Sequence, residues 1–246
     1  MKNTAIIIPS RLGAKRFPKK PLAKINNIPM IIHVLNRARE SCAGDVFVAT
    51  PDHEILNTVK ENGGKAILTQ TNHATGSDRI YEVFLKKLKT EVDLIINLQG
   101  DMPNIKPESI SELENLMRSN ECDIGTLASP LEENEIEDQN VVKALVDKKL
   151  EKNSFLEAKD FFREKKIYNK SDKIYHHIGI YAFTSLALTK YVKLKRSKLE
   201  IERNLEQMRA LENNMLVKIG FSESTPLGVD TEKDLGKIIE KMKEAK

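Results

Sequence analysis

The side chains best suited to chemistry fall in three separate stretches of the chain. Residues 10–20 read SRLGAKRFPKK and set Arg11, Lys15, Arg16, Lys19 and Lys20 in one short loop, with Gly13 available for close approach of a ligand to the backbone. Cations at that density suit a polyphosphate, although a Lys/Arg run taken alone equally describes a solvated surface or a nucleic-acid patch. The other two stretches each carry an aspartate. Asp101 closes Leu98-Gln99-Gly100-Asp101, and Asp230 lies in Gly228-Val229-Asp230-Thr231. Such carboxylates, facing a cationic loop, suit magnesium held jointly by protein and substrate phosphates. Each also has an ordinary structural role open to it. Asp101 fits a turn or helix cap, and Asp230 fits the N-cap of the helix after it, with Asp234 near the first turn. Nothing in the spacing brings 101 and 230 together.

The elements that must position these groups alternate in type. Ala5 to Ile8 is a continuous apolar run, the signature of a strand buried on both faces. Ile31, Val34, Leu35 and Ala38 recur at helical spacing. Asp45–Thr50, Lys65–Thr69 and 92–98 read as further strands, and 54–62 and 79–88 as amphipathic helices between them. This alternation predicts βαβ units and a mostly parallel sheet with helices on both faces, an α/β Rossmann-like fold. In such sheets ligands bind beyond the carboxyl ends of the strands, here just after Ile8, Thr50, Thr69 and Leu98. The cationic loop and Asp101 both fall at that edge. The loop contains neither G-x-G-x-x-G nor G-x-x-x-x-G-K-[ST], which removes the main sequence support for a dinucleotide dehydrogenase or a P-loop ATPase.

Residues 132–175 differ from this pattern, being charge-dense with few periodic apolar positions. They read as an excursion from the sheet, either a dimer arm, a substrate lid or plain solvated surface. After it, His177–Phe183 and 215–221 return as strands, and 206–212 and 232–243 as helices. A single domain over 1–246 is the expectation.

The bulk numbers narrow the function classes. With 40 basic and 36 acidic residues the formal charge is only +4, and aromatics are 5%, so electrostatics and stacking make no strong case for nucleic acid. Cys42 and Cys122 lack C-x-x-C spacing, which argues against a disulfide framework or a structural zinc and predicts two buried thiols in a reducing cytosol. The apolar run at 5–8 is too short for a secretory h-region of about 7–15 residues. No stretch reaches the roughly 18 apolar residues of a membrane span. A cytoplasmic protein without membrane insertion is expected.

Eight ordered stretches carry a resemblance: IPSRLGAKRFPKKPL at 8–22, VATPD at 48–52, TNHATGSDR at 71–79, NLQGDMP at 97–103, NVVK at 140–143, HHIGIYAF at 176–183, LEQMRALE at 205–212 and GVDTEKDL at 228–235. Over nearly its whole length the chain resembles the 3-deoxy-manno-octulosonate (Kdo) cytidylyltransferases. The resemblance implies a nucleotidyltransferase that joins CMP from CTP to an acidic eight-carbon sugar and releases pyrophosphate. It implies catalytic roles for Arg11, Arg16, Lys20, Asp101 and Asp230, the three cations holding the triphosphate and the two aspartates coordinating Mg2+. It places Pro9, Ser10, Arg11, His73, Gly76, Asp78, Arg79 and Gln99 near the nucleotide, and His177, Tyr181, Glu206 and Gln207 in the sugar pocket. By ordinary amphipathic role, His177 is instead a satisfied structural histidine. A homodimer and a place in lipopolysaccharide assembly also follow from the resemblance.

The chain departs from that family at three points. Met102 follows QGD where an acidic residue is usual, and Lys19 precedes Lys20 where a small residue, commonly Gly, is usual. The family's Tyr-Phe-Ser-Arg segment is replaced by NSFLEAK at 153–159, in which Lys159 is a shifted substitute for the arginine. Arg and Lys are not interchangeable where a carboxylate is gripped by two parallel hydrogen bonds. The alternatives are a cytidylyltransferase for sialic acid or 8-amino-Kdo, a catalytically silent nucleotide-sugar binding protein, and a nucleic-acid binder resting on the loop at 11–20.

Overall fold

The computed structural model describes all residues except 1–2, 14–15, 165–172 and 245–246. Lys15, one of the loop cations, and part of the 132–175 segment lie outside the described residues. The chain divides into two compact units, Met1–Ser111 with Pro226–Lys246, and Glu112–Thr225.

In the first unit, β1 (Thr4–Pro9) is buried along almost its whole length, as its sequence TAIIIP dictates. A two-stranded hairpin follows, β2 (Lys24–Ile25) and β3 (Ile28–Pro29). Its turn residues Asn26 and Asn27 both have positive φ, 49° and 68°, the geometry of the primed turns that Asn tolerates. Next come α1 (Met30–Glu40), β4 (Asp45–Thr50), α2 (His53–Glu61), β5 (Lys65–Leu68), α3 (Gly76–Val83), β6 (Leu94–Asn97) and the start of α4 (Pro107–Ser119), whose residues from Glu112 on belong to the second unit. A π-helical turn, Phe84–Leu88, prolongs α3, so the helix predicted at 79–88 is real but begins earlier and ends irregularly. The strands run in the order β5-β4-β1-β6, all parallel, with Ile7 opposite both Phe47 and Asn97. α1 buries Met30, Ile31, Val34, Leu35 and Ala38. The C-terminal helix Glu232–Glu244 belongs to this unit.

The second unit holds β7 (Ile124–Pro130), β8 (Lys143–Val146), β9 (Phe155–Glu157), β10 (Asp160–Phe162), β11 (Lys173–Thr184), α5 (Ser185–Tyr191), α6 (Lys198–Arg203), α7 (Met208–Glu212) and β12 (Val217–Phe221). Here the pairing is mixed. β7 is antiparallel to β11 and parallel to β12, β12 is antiparallel to β9, and β8 bridges β10 and β11. The 132–175 segment therefore does not stand apart from the sheet, since β8, β9 and β10 all lie within it. Its strands were hidden because they are three or four residues long, too short for a period of two to register.

Two expectations need correction. Cys42 is exposed, in a left-handed turn (φ 52°) just after α1, and Cys122 is only partly buried. The turn carries the thiol outward, which hydropathy alone does not reveal. Also, α4 and β7 have no counterpart in the sequence reading. No helix among the described residues is long and apolar enough to cross a membrane.

Candidate active site

The cationic loop leaves the end of β1 and is tied down at both ends. Asp52, just beyond β4, accepts the Leu12 N–H on Oδ2 at 2.8 Å, and the Leu12 carbonyl accepts the Lys19 N–H at 3.2 Å. Phe17 is buried with Ile25, Met30, Val229 and Ile238, which fixes the middle of the loop against the segment that carries Asp230. Lys19 sits at φ 57°, ψ 20°, the left-handed region that costs an L-residue about 1–2 kcal/mol. That conformation explains the small residue customary there, and in this chain the Lys19 ammonium contacts both oxygens of Glu54, at 3.1 and 3.0 Å.

Lys20 follows and brings the two distant aspartates together. Its Nζ donates to Asp101 Oδ2 at 2.9 Å and to Asp230 Oδ1 at 3.2 Å, while Arg16 reaches Asp230 Oδ2 at 3.2 Å. The Val229 N–H donates to the Asp101 carbonyl at 3.0 Å, so the two acidic segments are also joined main chain to main chain. Gly100 packs closely on the end of β1: a Cβ there would lie 3.2 Å from the Pro9 carbonyl oxygen. Burial works to lower the Lys20 pKa, but Asp101 and Asp230 outweigh it and the net direction is upward. The capping role open to Asp230 is taken by its neighbours. Thr231 Oγ1 accepts the Asp234 N–H at 3.3 Å, and the Asp234 carboxylate accepts the Thr231 N–H at 3.0 Å. Asp230 is left facing the cations.

This cluster fits a shared magnesium site. An ammonium standing between two carboxylate oxygens marks a point where positive charge is favoured. Among the described residues there is no group of three or more His, Cys, Asp or Glu that would hold a metal unaided. Met102 is buried and adds no oxygen. Two carboxylates, with phosphate and water completing the shell, is the manner in which Mg2+ is ordinarily bound.

An open cavity in the same unit is lined by Pro9, Ser10, Arg11, His73, Ala74, Thr75, Gly76, Arg79 and Gln99. Sequence reasoning named seven of these nine; Ala74 and Thr75 were missed because neither side chain announces a function. Ser10 Oγ is buried in this lining with no hydrogen-bond partner among the described residues, an unusual state that a ligand would relieve. Arg79 is buried, with Nη1 donating to Thr69 Oγ1 at 2.5 Å and to the Gln70 carbonyl at 2.9 Å. Burial and then the charge of Arg11 lower its pKa, so two cations stand close enough to disfavour one another without a bound anion. Asp78 does not line the cavity; its carboxylate caps α3, accepting from Thr75 N–H at 3.0 Å. The loop carrying His73 is clamped by Glu82, which lies 2.5 Å from His73 Nε2 and accepts the Gln70 N–H at 2.9 Å. Burial works to raise the Glu82 pKa, but the bonds from His73, Lys86 and Gln70 bring it down to about 2.

The residues expected around the sugar lie in the second unit. His177 is buried, its ring meeting Phe161 edge-on at 4.9 Å and Tyr181 at 5.5 Å. Thr126 donates its hydroxyl to the Ile180 carbonyl at 2.7 Å, so its oxygen accepts from His177 Nε2–H at 3.0 Å. Burial, then the charges of His176 and Arg163, hold His177 down to about pKa 3, so it is a neutral imidazole. Burial and Glu206 push the Tyr181 phenol upward against Arg163. Glu206 is held through its carbonyl by the Tyr191 hydroxyl at 2.8 Å, and Gln207 is buried just before α7. Beneath them Arg209 grips Glu200 with two bonds of 2.8 and 2.6 Å and lies over the Tyr191 ring at 4.9 Å. Breaking one side of such a buried pair costs about 3–5 kcal/mol, which makes it the anchor of this turn.

Comparison with known proteins places the chain. The family profile described as cytidylyltransferase matches residues 5–219. The 3-deoxy-manno-octulosonate cytidylyltransferase of Thermodesulfovibrio yellowstonii is 44% identical over 242 residues, covering 94% of this chain and 95% of that protein. That of Bartonella tribocorum is 42% identical, covering 95% and 96%. The solved structure of CMP:2-keto-3-deoxy-manno-octonic acid synthetase complexed with CTP superposes with a TM-score of 0.89 at 34% identity, covering 99% of each chain. The 4-diphosphocytidyl-2C-methyl-D-erythritol synthase of Anaerococcus prevotii, at 13% identity and a TM-score of 0.65 over 98% of each chain, shares the fold alone. With its cationic loop, its paired aspartates and these relatives spanning nearly every residue, the chain belongs to the cytidylyltransferase family.

Proposed function

We propose that this enzyme transfers CMP from CTP to the anomeric hydroxyl of Kdo, releasing pyrophosphate. The observation that carries the reading is the meeting of Asp101 and Asp230 at the Lys20 ammonium, beside a loop that also presents Arg11 and Arg16. Relatives named for Kdo and a structural neighbour named as a CTP complex support the two substrates.

In the reaction the anomeric oxygen forms a bond to the α-phosphorus and the bond from that phosphorus to the β-phosphate oxygen breaks. The hydroxyl proton passes to solvent, and the β- and γ-phosphates leave together. The α-phosphorus is ringed by negative oxygens, so the protein's contribution is to hold the reactants in line and offset growing charge. Arg11, Arg16 and Lys20 bind the triphosphate and supply that positive charge, while Ser10, His73, Arg79 and Gln99 hold the rest of the nucleotide. Asp101 and Asp230 would hold Mg2+, which would supply positive charge to offset that of the phosphates and the departing pyrophosphate. His177, Tyr181, Glu206 and Gln207 orient the sugar. With a pKa of about 3, His177 is too weak a base for the hydroxyl proton and serves as a neutral contact. The enzyme works as a cytoplasmic homodimer, using the 132–175 segment, and supplies activated sugar to lipopolysaccharide assembly.

Pyrophosphate release from CTP, Kdo and Mg2+ tests the reading, with sialic acid and 8-amino-Kdo as competing acceptors. Release with Kdo that stops on chelation of the metal is the expected result. CTP binding without turnover on any acceptor would overturn it in favour of a silent binding protein, and turnover confined to another acceptor would replace Kdo. A solution mass of one chain would remove the dimer.

A further inference from the structure

We infer that Glu82, which is not part of the cavity wall, is a positioning residue that holds His73 and its loop in place for the nucleotide. This rests on the proposed reading of the cavity as the place where CTP binds. Four of the nine lining residues, His73, Ala74, Thr75 and Gly76, lie between the end of β5 and the first residue of α3. From Thr69 to Thr75 the chain is neither helix nor strand, so its backbone polar groups need partners from elsewhere. Side chains of α3 supply them. Glu82 accepts the Gln70 N–H at 2.9 Å, Arg79 donates to the Gln70 carbonyl at 2.9 Å, and Asp78 accepts the Thr75 N–H at 3.0 Å. Positions 78, 79 and 82 stand three and four apart, so the same side of the helix carries the whole clamp.

Glu82 also grips the His73 ring. The Oε2 atom that takes the Gln70 N–H lies 2.5 Å from His73 Nε2, while Lys86 pairs with the other oxygen. The Glu82 carboxylate is ionised, with a pKa brought down to about 2, so it can only accept and Nε2 must carry the proton. That leaves Nδ1 as the atom with which the ring can meet a ligand. The His73 and Glu82 side chains are only 17% and 10% exposed, which shelters their bond from water, whereas Lys86 is 52% exposed and peripheral. Arg79 is itself in the cavity wall and Asp78 caps the helix, so Glu82 is the member of the clamp whose work is to fix the loop and the ring together.

Calorimetric titration with CTP, which needs no acceptor sugar, tests this in Glu82→Ala, Glu82→Gln, Lys86→Ala and His73→Ala. Glu82→Ala loses both bonds to the loop, and Kd for CTP should rise by roughly tenfold or more. Glu82→Gln keeps an acceptor oxygen for Gln70 and His73 and should recover most of that loss. Lys86→Ala removes only an exposed pair and should match the wild type. Because Glu82 acts partly through the ring, Glu82→Ala should weaken CTP binding less in a His73→Ala background than in the wild type. Fully additive losses, or an unchanged Kd in Glu82→Ala, overturn the inference and leave the proposed reaction standing. If Glu82→Ala does not fold, nitrogen NMR of the His73 ring in the wild type decides, with the Nδ1 resonance expected to move on adding CTP and the proton to stay on Nε2. An unmoved Nδ1 resonance, or a ring with no proton on Nε2, overturns the inference. A wild type that binds no CTP removes the proposed reading and this inference together.

Discussion

Lys20 and Asp101 form a half-buried ion pair, Nζ to Oδ2 2.9 Å, at the carboxyl edge of the parallel strands. Asp101 also gives its backbone carbonyl to the Val229 N–H, so its structural bond and its chemical group are separate atoms.

That separation makes Asp101→Asn a clean substitution. The amide keeps the volume and the backbone bond but loses the charge. Turnover should fall by about 10²–10³, the scale of losing a preorganised electrostatic contact, with the melting temperature almost unmoved. Initial rates of pyrophosphate release and a thermal melt check both halves.

Removing the ammonium exposes the carboxylate pair. In Lys20→Ala, Asp101 and Asp230 face each other without their shared counter-charge, and a divalent cation should take its place. Saturating Mg2+ should then raise the melting temperature of the variant more than that of the wild type, while turnover falls. A shift no larger than in the wild type would remove these two residues as a metal site.

Asp52 tethers the cationic loop without being a cation or a metal ligand. Asp52→Ala leaves the Leu12 N–H without its charged acceptor, a loss of about 1.5–3 kcal/mol in loop order, and KM for CTP should rise by roughly tenfold or more. Asp52→Asn retains an acceptor oxygen and should be milder. Equal KM values in both variants and the wild type would show that the loop needs no tether.

His177 gives the stability a pH dependence with a definite sign. Its folded pKa of about 3 lies below the ordinary 6.5. As pH falls below about 6.5 the unfolded chain gains a proton that the folded chain refuses. Stability therefore declines across the window from about 6.5 to 3, by up to about 1.4 kcal/mol per unit. Denaturant midpoints taken across that range should show a shallower decline for His177→Gln than for the wild type.

Much of this was legible because it is local. A continuous apolar run such as Ala5–Ile8 has no comfortable place except a strand covered on both faces, and the helices between such runs force parallel neighbours. The ligand edge followed, and with it the cationic loop and Asp101, whereas His73, Gly76, Arg79 and Gln99 came only through the resemblance. Lys19 was visible as an anomaly, but its cause, a left-handed φ of 57°, was not.

Tertiary structure decided the rest. Hydropathy records which face of an element is apolar and says nothing of which distant segment covers it. Burial of Phe17 and Val229 in one cluster, and the bond from Val229 to Asp101, are what carry Asp230 to Lys20. Likewise the short strands β8 and β10 carry no periodic signal, so the alignment of Phe162 and His176 on either side of Lys143 exists only once their register is set. Composition and spacing determined the kinds of groups and the edge of the sheet where they act; non-local packing and strand register, which depend on partners far along the chain, decided which of those groups meet.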